Sequence, residues 1–185
     1  MSAEGHDTGR VLLRRWTSDD LDPFAEMCAD PEVMRYFQST MTRDECAEMI
    51  KAIDERFERL GYGLWALEVD GRFAGYTGLN YTGPGFDTSF SPCAEVGWRL
   101  ARWAWGHGYA SEAAREALRV GFEHHELPII YSWTTRTNTR SEAVMSRIGM
   151  RRREDLDFDH PRTPGWWGAP HIVYSLTAEQ WREYR

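Results

Sequence analysis

The chain has 185 residues and a mass of 21.5 kDa, which suits one domain around one core and is too short for two ordinary enzyme domains. With 22 basic against 29 acidic side chains the formal net charge is −7, which argues against a nucleic-acid binder that works by neutralising phosphates. Mean hydropathy is −0.61, and no apolar run approaches the ~20 residues of a membrane span. Met1 to Arg10 are polar and lack the apolar centre of a signal peptide. Cys28, Cys46 and Cys93 form no C-x-x-C pair and read as reduced thiols in a cytoplasmic protein, without the spacing of a zinc site. Charge is uneven. The first 70 residues hold 16 acidic and 8 basic groups, so the N-terminal region favours a cation and the remainder tolerates an anionic ligand.

Residues 1–9 are expected to be a flexible N-terminus and 10–176 one domain. Arg10 to Trp16 reads as the first strand. Thr17 and Ser18 then offer caps, and Asp19 and Asp20 suit the positive end of a helix that runs to Ala29. Thr42-Arg43-Asp44-Glu45 is a capping box. It opens a helix whose Cys46, Met49, Ile50, Ile53 and Phe57 recur at helical spacing, with Gly61 as its stop. Gly63 to Val69 and Arg72 to Leu79 are strand-like, joined by the two-residue hairpin signal Asp70-Gly71. A loop from Thr82 to Pro92 precedes a strand over Cys93 to Leu100. Next comes a helix with a small and apolar stripe: Ala110, Ala113, Ala114, Ala117, Leu118, Gly121 and Phe122. Ile129 to Thr135 is a strand, Asn138 or Thr139 caps a helix ending at Gly149, and Met150 to Phe158 is read as a strand. A Pro-, Gly- and Trp-rich stretch leads to a last strand, His171 to Leu176. Thr177-Ala178-Glu179-Gln180 opens a short terminal helix over 177–185. The order β-α-α-β-β-β-α-β-α-β-β describes an α/β domain with a mixed sheet.

Chemistry concentrates where the strand ending Glu95-Val96-Gly97-Trp98-Arg99-Leu100 passes through a glycine loop into a helix. Helix N-termini present unpaired N–H groups and a partial positive charge. Gly106 and Gly108 permit positive φ and close approach, so the loop forms an anion cradle suited to a pyrophosphate. A P-loop would need a lysine after the glycines, and none follows. A dinucleotide fingerprint would need a third glycine where Ser111 stands.

From Arg10 to Leu176 the element order resembles the Gcn5-related N-acetyltransferase (GNAT) fold. Trp105-Gly106-His107-Gly108-Tyr109-Ala110-Ser111-Glu112-Ala113 is similar to its acyl-coenzyme A loop. Asn138-Thr139-Arg140-Ser141, Arg147-Ile148-Gly149-Met150 and the tail Asp157-Phe158-Asp159-His160-Pro161 resemble the RimJ/RimL-like branch. The resemblance implies a mostly antiparallel sheet whose fourth strand, Cys93 to Leu100, carries a bulge and splays from the fifth, Ile129 to Thr135. It implies that pantetheine enters that gap along the backbone of Trp98, Arg99 and Leu100. The pyrophosphate would rest on Trp103, Ala104, Trp105, Gly106, His107, Gly108, Tyr109 and Ala110, with Asn138 as a further contact. Where the family places Gln or Arg, this chain has Trp103.

Acetyl-CoA is thus the expected donor and coenzyme A the product, with a primary amine as acceptor, either a protein α-amine or a small amine. A lysine is neutral about once in 2,500 molecules at pH 7 and an α-amine about once in ten, so the second needs less help. Glu95 is the candidate base, acting directly or through a water. The alternative is a structural ion pair with a neighbour or with Arg99, which alternation puts on the same face as Glu95 and Gly97. The family's tyrosine acid is replaced by Met145, and Ser141 is the candidate proton donor, with helix capping the alternative for it and for Asn138. Trp166 and Trp167 are candidates for an aromatic flap over the acceptor. Loops around Gln38 and Trp166 set the pocket shape. Asp157, Asp159 and His160 are read as hydrogen bonding, so no metal is expected. The protein is expected to act as a monomer or homodimer, away from nucleic acid and membrane. Two other classes stay open: an inactive acyl-CoA sensor, and an interaction protein with a vestigial pocket.

Overall fold

A computed structural model describes residues 5–184. The strands are β1 (His6–Asp7), β2 (Leu12–Arg14), β3 (Leu64–Val69), β4 (Arg72–Thr82), β5 (Cys93–Leu100), β6 (Ile129–Thr135), β7 (Arg151–Arg152), β8 (Phe158–Asp159) and β9 (Pro170–Thr177). The helices are α1 (Leu21–Ala29), α2 (Arg43–Leu60), α3 (Tyr109–Arg119), α4 (Thr139–Arg147) and α5 (Ala178–Tyr184). One sheet takes the order β1-β2-β3-β4-β5-β6-β9-β7, with β8 also on β9. Among the described residues only β5–β6 is parallel; the other pairs are antiparallel. Among the described residues no helix is long and apolar enough to cross a membrane.

Alternation along β4 sorts the layers. Tyr76 meets Phe24 of α1, and Asn80 meets Arg56 of α2. Leu79 points the other way, toward the turn that follows α3. Helices α1 and α2 therefore cover one face and α3 the other. Ala113, Ala114, Ala117 and Leu118 are wholly buried. Their small side chains let α3 lie close to the sheet. The Thr42–Glu45 capping box forms, with backbone N–H to side-chain oxygen distances of 2.7 and 3.2 Å. Asp70 and Gly71 both adopt positive φ, as a tight hairpin turn requires.

Three segments differ from the sequence expectation. His6–Asp7 is not free chain, because it adds an edge strand to Leu12–Leu13; residues 1–4 lie outside the described part. Strand β4 runs on to Thr82, pairing Asn80 to Thr82 with Glu95 to Cys93. The expected strand from Met150 to Phe158 is broken into β7, a 3-10 turn over Glu154–Leu156, and β8. Its charged side chains find partners locally instead of alternating: Arg153 binds Asp155, and Asp157 accepts from both Arg152 and the Val173 N–H.

Candidate active site

Strands β5 and β6 pair only at Ala94–Ile130 and Glu95–Tyr131. Beyond Glu95 they part. Each keeps a complete ladder with its outer neighbour, β5 with β4 and β6 with β9, so separating them forfeits only the few bonds between them. The opening is the splay expected of the fourth and fifth strands. It arises without the bulge expected in β5, whose register against β4 is unbroken from Cys93 to Leu100. The irregularity in this sheet lies between β3 and β4 instead, at Leu67/Glu68. A groove of about 1700 Å³ runs through the opening.

At one end of the groove the chain turns through Gly106 and Gly108, with φ of 82° and 83°. Gly108 is the N-cap of α3; a side chain there would be strained in the left-handed region. The first N–H groups of α3 have no partner within the helix, and the turn brings them to the groove wall with Ala104 to Ala110. Arg10 pairs with Glu112 and donates to the His107 carbonyl at 3.2 Å, which cancels the one acid in the first turn of α3. Arg140 lies 4.7 Å from the centre of the Trp105 ring. The Leu100 carbonyl already accepts from the Trp105 indole at 2.8 Å, so of the backbone groups expected to hold pantetheine this acceptor is engaged by the loop itself. The Thr135 hydroxyl, also on the lining, is buried without a partner. An unpaired strand edge, a helix start with free N–H groups and no net negative charge, and an orphaned hydroxyl fit a long ligand with a diphosphate.

Trp103 is not brought to the groove. Its indole packs 4.2 Å from the Arg72 guanidinium, and neighbouring Arg102 binds Asp30. Asn138 is the N-cap of α4: its side-chain oxygen accepts from the Ser141 N–H at 3.3 Å, and its amide reaches Thr134 at 2.9 Å and the Ser141 oxygen at 3.2 Å. Both residues line the groove. Capping leaves the Ser141 hydroxyl proton free to point into it.

Glu95, Gly97 and Arg99 share the face covered by α1 and α2. Burial pushes the Glu95 carboxyl up to about 7, against the opposing pull of the Asn80 hydrogen bond and the Arg56 charge. Asn80 donates at 3.4 Å and itself accepts from Arg56 at 2.7 Å. The ion pair with Arg99 does not form, since Arg99 points to Cys28 and Met41 between the rings of Phe37 and Tyr76. The neighbour on Glu95 is thus a neutral amide. Tyr36, Phe37, Gln38, Phe86 and Trp166 also line the groove, while Trp167, 59% exposed and outside the lining, has its ring centre 6.4 Å from that of Tyr36.

Sequence reasoning missed Asn80, Arg56 and the sulfur and ring surroundings of the Arg99 side chain. The Asn80–Glu95 pairing depends on how β4 and β5 register across the loop after Thr82, which has no short turn signal. It also missed His160 and His171 in the lining. Burial pushes His160 down to about 4 and lowers His171, so both rings are neutral at pH 7. The Asp157, Asp159 and His160 cluster is not assembled, because Asp157 turns to Arg152 and His160 packs on Phe86. The acidic surplus of the first 70 residues also faces elsewhere. Glu32 is the acid that segment gives to the lining, beside Arg10, Arg35 and Arg56.

The family model described as an acetyltransferase (GNAT) domain matches residues 10–151. The chain belongs to the GNAT family. It is an N-acyltransferase of that family, whose members use acetyl-CoA and an amine acceptor. Among curated proteins it is 30% identical over 161 residues to the FsC-acetyl coenzyme A-N(2)-transacetylase of Aspergillus fumigatus, covering 82% of this chain and 67% of that one. The N-acetyltransferase YnaD of Bacillus subtilis is 26% identical over 174 residues, 94% of this chain and 97% of that one. The GNAT acetyltransferase structure from Bacillus anthracis superposes with a TM-score of 0.76 at 24% identity, over 95% of this chain and 99% of that one. RimL, a ribosomal L7/L12 α-N-protein acetyltransferase solved with coenzyme A, shares the fold at a TM-score of 0.75 and 13% identity, over 94% and 98% of the chains.

Proposed function

We propose that this GNAT protein acetylates a primary amine directly, with Glu95 taking the proton from the amine and Ser141, on the opposite wall, supplying one to the sulfur that leaves as the free thiol of coenzyme A. Acetyl-CoA, when bound, supplies the acetyl group as a thioester, whose carbon–sulfur bond is exchanged for a carbon–nitrogen bond. The loop from Ala104 to Ala110 would receive the diphosphate, and the edge of β5 from Gly97 to Leu100 the pantetheine. Trp166 closes the acceptor end, and Trp167 extends it over Tyr36.

The observation that carries this reading is a carboxyl with a pKa of about 7 facing the groove just where β5 leaves β6. At neutral pH such a group is about half ionised and holds a proton as readily as it gives one up, which is what a general base for an amine requires. An α-amine is neutral in about one molecule in ten at pH 7, so a base of this strength suffices for it.

The test is an acceptor screen with two readouts, free thiol released from acetyl-CoA and acetylated product found by mass. Transfer by the wild type, lost in Glu95→Gln, is the expected outcome. Coenzyme binding without thiol release to any amine would identify a sensor instead. No specific binding of acetyl-CoA would leave only an interaction protein.

A further inference from the structure

The guanidinium of Arg99 has no use in the chemistry above. The residue is only 8% exposed and lines the groove. Its Nη1 reaches two sulfur atoms, Cys28 Sγ at 3.3 Å and Met41 Sδ at 3.6 Å. Its Nε is buried without a hydrogen-bond partner. Among the described residues no carboxylate pairs with it and no oxygen accepts from it. Phe37 and Tyr76 face the cation at 4.0 and 5.3 Å from their ring centres. Thiol, thioether and ring faces are weak partners for a charge withdrawn from water.

The free groups are Nε and Nη2, which lie on one edge of the guanidinium. That edge is the one that takes a carboxylate side-on through two parallel hydrogen bonds. It projects from the same face of β5 as Glu95, four residues or roughly 13 Å away along the strand. Between them stands Gly97, where an added Cβ would meet nothing within 4 Å. The strand thus presents a base, an open floor and an unpaired cation in a row, roofed by Phe37 from the α1–α2 connection.

We propose that Arg99 is the receptor for a carboxylate on the acceptor, and that the acceptor is therefore a small amino acid-like molecule carrying both an amine and a carboxylate. This rests on the acetyl-transfer reading and narrows its acceptor. An uncharged amine would leave the buried cation unpaired. A protein chain offers its α-amine without a carboxylate at a fixed short distance. A single guanidinium edge between two rings suits the planar monoanion better than a phosphate.

The test uses free amino acids and the same compounds as carboxamides, with wild type and Arg99→Met, whose thioether suits the sulfur- and ring-lined cage. Two readouts are taken: kcat/KM for acetylation, and calorimetric binding of each amino acid to the protein saturated with coenzyme A. In the wild type the carboxylate form of the preferred amino acid is favoured at least tenfold over its amide, in rate and in affinity. In Arg99→Met that ratio falls by at least tenfold; comparing ratios cancels the lower amine pKa of the amides and any general loss of turnover in the variant. Equal preference in both proteins, or none in the wild type, overturns the assignment. Arg99-dependent binding of the carboxylate without transfer would overturn the acetyl-transfer reading and leave the anion site standing. Transfer that ignores the carboxylate would do the reverse. Arg99→Lys, keeping the charge and losing the fork, serves if the methionine variant does not fold; it retains less than a tenth of the carboxylate preference, and an unchanged preference there counts against the proposal.

Discussion

Glu95, the base proposed above, would serve catalysis at the expense of stability. Its carboxyl titrates at about 7 in the folded chain, against 4.5 for an ordinary glutamate. The folded state therefore binds this proton more tightly than the unfolded state. That advantage is fully present below about pH 4.5 and is lost as pH rises through about 7. The loss is at most about 3 kcal/mol, reduced by whatever screening solvent in the groove provides. Glu95→Gln mimics the protonated acid and escapes it. Its melting temperature should exceed that of the wild type by several degrees at pH 8 and match it at pH 4.5, a difference that thermal unfolding at the two pH values will measure. Acetylation should move the other way. The wild-type rate should rise through an apparent pKa near 7, and the variant should lose roughly 10²- to 10⁴-fold with that limb abolished. Ser141 and Asn138 separate differently. Asn138→Ala removes the cap on α4, which costs about 1 kcal/mol, and frees the Ser141 side chain. It should lower stability and raise the KM for acetyl-CoA. Ser141→Ala keeps the Asn138 oxygen on its backbone N–H, and should lower kcat at saturating coenzyme with little change in melting temperature. Equal stability losses in the two variants would reduce Ser141 to a structural role.

The elements that the sequence made legible are those with punctuation. Thr42 and Glu45 cap α2 where the pattern put them, Asp70-Gly71 turns β3 into β4, and β5 and β6 have the bounds their apolar runs implied. The turn at Gly106 and Gly108 was legible for the same reason, since two glycines free to adopt positive φ just before an alanine-rich helical stripe mark a turn into a helix. What was not legible lacked local signals. The stretch after Met150 broke because its arginines and acids pair within a few residues, and a reading by hydropathy sees only a charged strand. Trp103 turned away from the groove because Arg72, distant in sequence, holds its ring. Asn80, Arg56 and Arg99 find their neighbours through the packing of β4, β5 and two helices, which no spacing along the chain encodes. The glycine turn yields a prediction at this scale. At Gly108, φ is 83° and the nearest atom to an added Cβ would be Arg10 Nη2 at 3.8 Å, so alanine fits the space but strains the backbone. Gly108→Ala should tilt the first turn of α3 and raise the KM for acetyl-CoA about tenfold, equivalent to about 1.4 kcal/mol, with kcat within about twofold by the same measure of uniform binding loss. A fall in kcat with KM unchanged would show that the turn does not hold the diphosphate.

At the scale of the whole molecule the sheet is two ladders joined at one point. Strands β1 to β5 form one, and β6 with β9 and the short strands beside it forms the other; Ala94–Ile130 and Glu95–Tyr131 are the pairs between them. A ligand lying in the splay would touch both halves, by way of β5 and the loop before α3 on one side and Ser132 to Thr135 and the start of α4 on the other. The charges suit this. The chain is net −7, yet eight arginines and three glutamates line the groove, so an anion is drawn there against the charge of the protein as a whole. Coenzyme A at about a hundred times its Kd should stabilise the folded state by about 2.7 kcal/mol, a rise of roughly 5–10 °C in melting temperature for a domain of this size. Adenosine 3′,5′-bisphosphate lacks the pantetheine and reaches only the loop end. At a hundred times its own Kd it gains the same 2.7 kcal/mol by mass action, so the two ligands differ not in the size of the shift but in where protection appears. With coenzyme A, hydrogen exchange should slow on β5 from Gly97 to Leu100 and on β6 from Ser132 to Thr135 together; with the fragment it should slow at the loop alone. Both shifts should shrink as salt at fixed ligand screens the arginines. Identical protection patterns for the two ligands would mean that the pantetheine does not bridge the strands, and the joining of the two ladders by the bound coenzyme would have to be given up.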